Sequence, residues 1–151
     1  MKILVKTIMT DQITVAGLDH KFSQVMEFFE KSGVRHLPVT DGGKVIGIIS
    51  ARDVMKDLYQ QLSKGEAVTL KQMDETFKVK DIMTPVPKTI PPDTEIEDAM
   101  AILMNAGFHA LPVVENDELK GIVTYHDLLG AYFKEKRPPV HYTSGAPGFA
   151  V

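Results

Sequence analysis

Much of this chain is written twice. Val5-Lys6-Thr7-Ile8-Met9-Thr10 returns as Val79-Lys80-Asp81-Ile82-Met83-Thr84, Leu37-Pro38-Val39 returns as Leu111-Pro112-Val113, and Gly33, Gly47 and Asp53 return as Gly107, Gly121 and Asp127. Every pair is 74 positions apart, and about fourteen of the 55 positions from Val5 to Tyr59 are identical in the second copy. Chance is a poor explanation for one constant offset over that length, so the fold is expected to be a duplicated unit. A unit of roughly 60 residues buries only about 60% of its unfolded surface, so the two copies are expected to pack together.

Period and punctuation give each unit the order strand, helix, strand, strand, helix. Phe22, Val25, Met26 and Phe29 lie at i, i+3, i+4 and i+7, and Ile96, Ala99, Met100 and Leu103 repeat that spacing, which marks two amphipathic helices stopped by Gly33 and Gly107. Leu37 to Thr40 and Val45 to Ser50 flank Asp41-Gly42-Gly43-Lys44, while Leu111 to Val114 and Leu119 to Thr124 flank Glu115-Asn116-Asp117-Glu118, and both read as hairpins. The closing helices carry Val54, Met55, Leu58 and Leu62 in one copy and Leu128, Leu129, Tyr132 and Phe133 in the other. Ile13-Thr14-Val15 and Lys88-Thr89-Ile90 are the candidate first strands. The expected organisation is a first repeat over residues 3–62, a polar connector over 63–78, a second repeat over 79–136 and a flexible C-terminal tail over 137–151, rich in Pro and Gly. The fold class is α+β, a mixed α/β arrangement of two tandem β-α-β-β-α repeats.

Composition narrows the function. The 151 residues are 44% hydrophobic and 25% charged with a formal net charge of -3, which suits a globular domain and excludes low-complexity disorder for most of the chain. No Lys/Arg run exceeds two residues, so no nucleic-acid partner is expected. Apolar stretches such as Val45 to Ile49 are far shorter than the roughly 18 residues of a membrane span, and Lys6 and Asp11 interrupt any leader-like stretch, so neither membrane insertion nor secretion is expected. The chain has no Cys, which removes disulfides, zinc-thiolate sites and cysteine nucleophiles and suits a cytoplasmic location. There is no G-x-S-x-G elbow, H-E-x-x-H or P-loop glycine pattern, so no catalytic residues are assigned and a non-enzymatic role is expected. The spacing of His36, His109 and His126 forms no recognisable metal-ligand set.

The most informative motif is Gly47-Ile48-Ile49-Ser50-Ala51-Arg52-Asp53, echoed by Gly121-Ile122-Val123-Thr124-Tyr125-His126-Asp127. A strand delivers a hydroxyl residue to a helix start, with a carboxylate three positions later. That pattern serves as a capping box. It also offers a phosphate the exposed N–H groups of a helix N-terminus, and offers a ribose a carboxylate that accepts from its hydroxyls. Arg52 and His126 adjoin the motif, and Arg35, His36 and His109 precede the Leu-Pro-Val strands, where their charge would favour phosphate.

Two copies carrying Ile-Met-Thr, Gly-x-x-x-Leu-Pro-Val and Gly-Ile-[Ile/Val]-[Ser/Thr]-x-x-Asp resemble a tandem pair of CBS domains, the cystathionine β-synthase motif, over about residues 3 to 134. The resemblance implies a pseudo-twofold pair with two clefts between the repeats, binding adenosine-containing ligands such as AMP, ADP, ATP or S-adenosylmethionine, and regulating a partner without catalysis. Carried over by position, one cleft takes Thr84, Lys88 and Phe108 around the base, with Ser50, Arg52 and Asp53 facing ribose and phosphate and Arg35 and His36 near the phosphate. The other takes Thr10, Ile13 and Val34 around the base, with Thr124, His126 and Asp127 on the sugar-phosphate side and His109 nearby. The first cleft holds guanidiniums whereas the second relies on imidazoles, which ordinarily titrate near about 6.5. The Ser50/Asp53 cleft is therefore the preferred phosphate site, and His36, which aligns with Ala110, departs from the symmetry. Mg²⁺ would accompany only a polyphosphate.

Met26, Met55, Met100 and Met104 fall on or beside apolar stripes and are expected in the core. Phe28, Ile102 and Met104 lie partly outside the stripe each helix would bury, which, with the resemblance, points to a homodimer. An effector protein would act in trans, and a pairing module without a small-molecule ligand is the alternative reading.

Overall fold

The computed structural model describes residues 1–65 and 67–136; the expected tail, 137–151, and Glu66 of the connector lie outside the described residues. The first copy contributes α1 (Phe22–Ser32), β1 (His36–Asp41), β2 (Lys44–Ser50) and α2 (Ala51–Leu62). After α3 (Leu70–Thr76), the second contributes α4 (Val79–Ile82), β3 (Thr84–Pro85), α5 (Ile96–Ala106), β4 (Ala110–Glu115), β5 (Glu118–Thr124) and α6 (Tyr125–Lys136). The mixed α/β class and both hairpins are as the periodicity requires. Helices α1 and α5 bury Phe22, Val25 and Phe29, and Ile96, Ala99 and Leu103, on one face each. In the hairpin β4–β5 the turn residues Asn116 and Asp117 adopt φ of 51° and 61°, the left-handed twist that Gly42 and Gly43 supply between β1 and β2 and that short antiparallel turns require.

The candidate first strands do not form: Ile13 to Val15 carry no pairing, and single bridging residues, Ala16 just beyond them and Ile90 at the end of the second, take their place. Ala16 alone pairs with β1, donating to Pro38 O at 2.9 Å and accepting from Thr40 N at 2.9 Å; Ile90 does the same with Pro112 and Val114 at 3.1 and 2.9 Å. Pro87, Pro91 and Pro92 flank Ile90 and have no N–H to extend a ladder. Beyond Ala16, the Gly17 N–H turns to His20 Nδ1 at 2.7 Å and the chain leaves the sheet.

The two copies exchange their leading segments. Val5 is fully buried in the second core, among Ile96, Leu111, Val113, Val123 and Leu128, while Phe77 and Val79 are buried in the first core with Val25, Leu37, Val39, Ile49 and Val54. Backbone pairing fixes the exchange: Thr10 N donates to Ile122 O at 3.0 Å and Ile122 N to Thr10 O at 2.9 Å, and Thr84 stands opposite Ile48 in the equivalent place. Residues 3–62 and 79–136 are therefore repeats of sequence, not the packed units.

The connector is more structured than its polarity suggests. Thr69 and Gln72 form a capping box that starts α3, and Met73 and Phe77 enter the first core. The carboxylate of Asp74 accepts from Ser23 N and Ser23 Oγ, both at 2.8 Å, so α3 caps the N-terminus of α1 from 51 residues away. Its apolar residues are too few and too widely spaced to reveal a seven-residue helix by period.

Two expectations about the core are corrected. Met55 and Met104 are 70% and 84% exposed, because Val54 on α2 and Leu103 on α5, their buried neighbours in the chain, already take the inward positions. Phe28 and Ile102 pack partly buried against the two cores; the exposed apolar stripe is instead Met55, Tyr59 and Leu62 on α2 with Leu129 and Phe133 on α6. Among the described residues no helix is long and apolar enough to cross a membrane.

Close approach of the exchanged segments explains two glycines. A Cβ on Gly47 would overlap Met83 Sδ and stand 3.1 Å from Thr84 O, and one on Gly121 would overlap Met9 Sδ and stand 3.0 Å from Thr10 O. Gly47→Ala and Gly121→Ala should each destabilise by about 1–3 kcal/mol, the range for overpacking. In urea unfolding, adding Met83→Ala to Gly47→Ala should cost less than the two single effects combined; simple additivity would show that Met83 does not oppose the methyl group.

Candidate functional site

Both hydroxyl-to-carboxylate turns form, and both are capping boxes. Ser50 N donates to Asp53 Oδ2 at 2.8 Å and Asp53 N returns a bond to Ser50 Oγ at 3.0 Å. In the second copy Thr124 N and Oγ1 both donate to Asp127 Oδ2 at 2.9 Å, and Asp127 N donates to Thr124 Oγ1 at 3.3 Å. These bonds fall on Oδ2 in each carboxylate and leave Oδ1 for another donor. Capping and ligand binding are thus compatible: the cap holds the carboxylate in one rotamer. The incoming strands are tied to the same turns, since Ala51 N donates to Arg35 O at 3.0 Å and Tyr125 N to His109 O at 3.2 Å.

These turns meet across the pseudo-twofold axis at one cleft of about 520 Å³, lined by Thr10, Val34, Arg35, His36, Ser50 and Arg52 together with His109, Thr124, His126 and Asp127. Its size lies within the roughly 300–1,000 Å³ typical of small-molecule sites. Gly33, Ala51, Ile122 and Tyr125 complete the lining.

The expected division into two clefts is changed. All groups assigned around Asp127 converge here except Ile13, which lines a separate groove beside the hairpin turns with Val15, Thr40 and Leu119. Arg35, His36, Ser50 and Arg52, expected beside Asp53, face this same cleft. Lys88 and Phe108 line a different cavity of about 340 Å³ against Ile102 on α5; Asp53 lines neither. Thr84 pairs with Ile48 as Thr10 does with Ile122, but it lines neither of these cavities. Residues at the start of α2, Ser50 to Arg52, and at the start of α6, Thr124 to Asp127, line this one cleft together. Position within a motif could not reveal that residues expected on the phosphate sides of two clefts would line one.

Electrostatics favours an anion. The cleft presents the guanidiniums of Arg35 and Arg52, three imidazoles and one carboxylate, Asp127, and it receives the N-termini of two 12-residue helices, α2 and α6, whose dipoles add positive potential. His36 and His109 stand edge-on with ring centroids 6.5 Å apart. Burial, and then the neighbouring His109, lower the His36 pKa from its ordinary value near 6.5, against a smaller upward pull from Asp53 and with a still smaller lowering by Arg35. Tyr125, which motif reading passed over, stands edge-on to His109 at 5.9 Å; its signal was its place as the first variable residue of the Thr-x-x-Asp turn. Among the described residues no group of His, Asp or Glu side chains is placed to hold a metal ion.

A CBS domain family model matches residues 5–60 and 79–134. An uncharacterised protein of Methanocaldococcus jannaschii is 28% identical over 141 residues, which cover 91% of this chain and 47% of that protein, so the chain spans about half of its length. The CBS-pair protein CBSX2 of Arabidopsis thaliana, solved in complex with AMP, is 29% identical with a TM-score of 0.70, covering 89% of this chain and 98% of that one. The CBS domain pair of protein MJ0100, in complex with 5-methylthioadenosine and S-adenosyl-L-methionine, is 25% identical with a TM-score of 0.72, covering 86% and 99%.

The lowered His36 pKa has a definite consequence for stability. As pH falls below about 6.5 the unfolded chain takes up a proton that the folded site resists, so His36 subtracts stability between that value and its own lower one. Urea unfolding should show this loss on going from pH 7.5 to 5.5 and a shallower loss in His36→Ala, the residue that Ala110 supplies in the second copy. An identical pH dependence in the two proteins would overturn the assignment.

Proposed function

This chain belongs to the CBS domain family, and on that premise we propose that it is a non-catalytic regulatory module that binds an adenosine-containing nucleotide between its repeats. The observation that carries this reading is the pairing, in one cleft, of a fixed carboxylate with two guanidiniums and two helix N-termini. Asp127 Oδ1 accepts from the ribose hydroxyls while Oδ2 stays engaged by Thr124. Thr10, Val34 and Ile122 give the base a mostly apolar wall from both repeats. The phosphates then run toward Ser50, Arg52 and Arg35, with His36, His109 and His126 beside them, where charge-assisted bonds are strongest. The ligands of the similar CBS pairs, AMP in one and S-adenosylmethionine with methylthioadenosine in the other, support an adenosine moiety. AMP, ADP and ATP are the candidates with phosphate to match the cations, and a Mg²⁺ ion would arrive on a polyphosphate.

A ligand held by both repeats changes their relative orientation when it binds one arrangement better than another. The output goes to an effector protein in trans or to the assembly of the chain itself, and the proposed location is the cytoplasm. The exposed stripe of Met55, Tyr59, Leu62 and Leu129 favours a homodimer through α2 and α6. Met55 and Leu129 occupy equivalent positions in the two copies, so the stripe is nearly self-complementary.

Calorimetry and thermal shift with AMP, ADP, ATP and S-adenosylmethionine test the ligand. A ligand at 100 times its Kd adds about 2.7 kcal/mol, a rise of roughly 5–10 °C in Tm for a domain of this size. Arg52→Gln should weaken phosphate-bearing ligands by about 10- to 100-fold, the loss of a charge-assisted bond. Silence with all four compounds would end the nucleotide reading. For the dimer, sedimentation should give twice the chain mass for the wild type and a single chain for Met55→Glu/Leu129→Glu; a monomeric wild type would reject it.

A further inference from the structure

We infer that His36 and His109 act together across the cleft as a proton-linked anion site: the pair takes up a proton when a ligand's phosphate enters, so affinity rises as the pH falls below neutrality. This regulation of the site rests on the nucleotide reading above.

Three observations carry it. The first is geometric. His36 comes from the first repeat and His109 from the second, both line the cleft, and their rings stand edge-on with centroids 6.5 Å apart. Duplication did not make this pair, because the offset of 74 sets Ala110 against His36 and Arg35 against His109. Two residues, each particular to its own copy, are brought together only where the repeats meet.

The second is the charge around the pair. Arg35 precedes β1, Arg52 stands in the first turn of α2, and His126 in the first turn of α6. The carboxylates are Asp127, on the lining, and Asp53, which pulls on His36 without lining the cleft. Each has one oxygen tied into its own capping box. Tyr125 lies edge-on to His109, and the leading segment and β5 add only the uncharged Thr10, Ile122 and Thr124. Cations therefore outnumber carboxylates, and a proton added to either ring meets two guanidiniums and the other imidazole. Burial works in the same direction, and His36 is held below its ordinary pKa, which leaves it a proton to gain.

The third is chemical. A phosphate monoester brings roughly 1.5 to 2 negative charges near neutral pH and accepts hydrogen bonds at its oxygens. A neutral imidazole offers it one N–H, an imidazolium two. Entry of the anion thus favours the protonated pair, and by linkage a proton on the pair favours the anion equally. Well above the pKa of the liganded pair, the imidazoles are neutral with or without ligand and pH has no effect through them. Between that value and the lower one of the free pair, binding takes up a proton and tightens as the pH falls; below both, the gain is complete.

Calorimetry with AMP on the full chain at pH 7.5 and 6.0, each in two buffers of different ionisation enthalpy, reads affinity and proton uptake together. A phosphate monoester itself gains a proton near about pH 6, so the wild type is compared with variants under the same conditions. Each variant takes the residue that the other copy carries: His36→Ala and His109→Arg. Over this interval the wild type should gain about 3- to 10-fold more affinity than either variant, within the tenfold per pH unit that one linked proton allows, and should take up more protons. His109→Arg, permanently charged, should bind AMP at pH 7.5 at least as tightly as the wild type. A merely structural role for the rings would not move the proton count. The same pH dependence and proton uptake in the wild type and either variant would overturn this inference and leave the nucleotide reading standing. Pyrophosphate, titrated in parallel, separates the two: if it binds with the expected uptake while AMP does not bind, the nucleotide reading falls and the proton-linked anion site stands. Binding of neither would overturn both.

Discussion

The backbone pairing of each leading segment with the opposite repeat is the constraint on which the remaining structure depends. Thr10 exchanges two hydrogen bonds with Ile122, and Thr84 sits against Ile48 in the same way. These contacts bring Met9 over Gly121 and Met83 over Gly47, where a side chain on the glycine would collide with sulfur and backbone. Val5 and Val79 then complete cores they do not adjoin in sequence. Each half therefore lacks part of its own interior, and the relative placement of the repeats is set by packing and hydrogen bonds, not by the connector alone. A small unit gains a larger buried surface in this way, which is what a repeat of this size needs.

That constraint also builds the cleft. Thr10 lies on its wall because the first leader is hydrogen-bonded to β5, a strand of the second repeat that ends at Thr124. The capping boxes add rigidity at the point of contact. An Asp free to rotate would lose side-chain entropy on meeting a ligand, but Asp127 has already committed Oδ2 to Thr124 N and Oγ1. The interaction that starts the helix thus prepares the acceptor, and stability and recognition are served by one geometry.

Much of the fold was legible because it is local. A constant offset exposes duplication, a 3.6-residue period exposes α1 and α5, and Asp41-Gly42-Gly43-Lys44 exposes a tight hairpin. Other features were hidden because they depend on which surfaces meet. Hydrophobicity makes Val5 a core residue without saying whose core it enters. The apolar stripe of α2 contains both Val54, buried, and Met55, exposed, because two adjacent apolar residues on a helix cannot both face the same neighbour. Helix α3 escaped because only Met73 and Phe77 bury, and its tie to Ser23 spans 51 residues. At the candidate site, the motif singled out Asp127, Thr124 and Arg52 by residue type, yet their joining in the lining of one cleft is a property of how the repeats pack.

Duplication followed by divergence gives this cleft its polarity. Two identical repeats would place matched cations and carboxylates on both sides of the axis, and each side would compete for the same central volume. Here the first repeat contributes Arg35, His36 and Arg52 where the second has His109, Ala110 and His126. Permanent charge is concentrated on one side, while the carboxylate that lines the cleft comes from the other. Under the proposed function, a nucleotide lying across the axis would draw its neutralising charge from one repeat and its sugar contacts from the second, so its binding free energy would depend on the distance between them. Any rotation of one repeat against the other separates those two groups of contacts. The leader exchange resists such rotation, and under the proposed function the balance of the two would set the orientation that a bound ligand shifts and the exposed faces of α2 and α6 report.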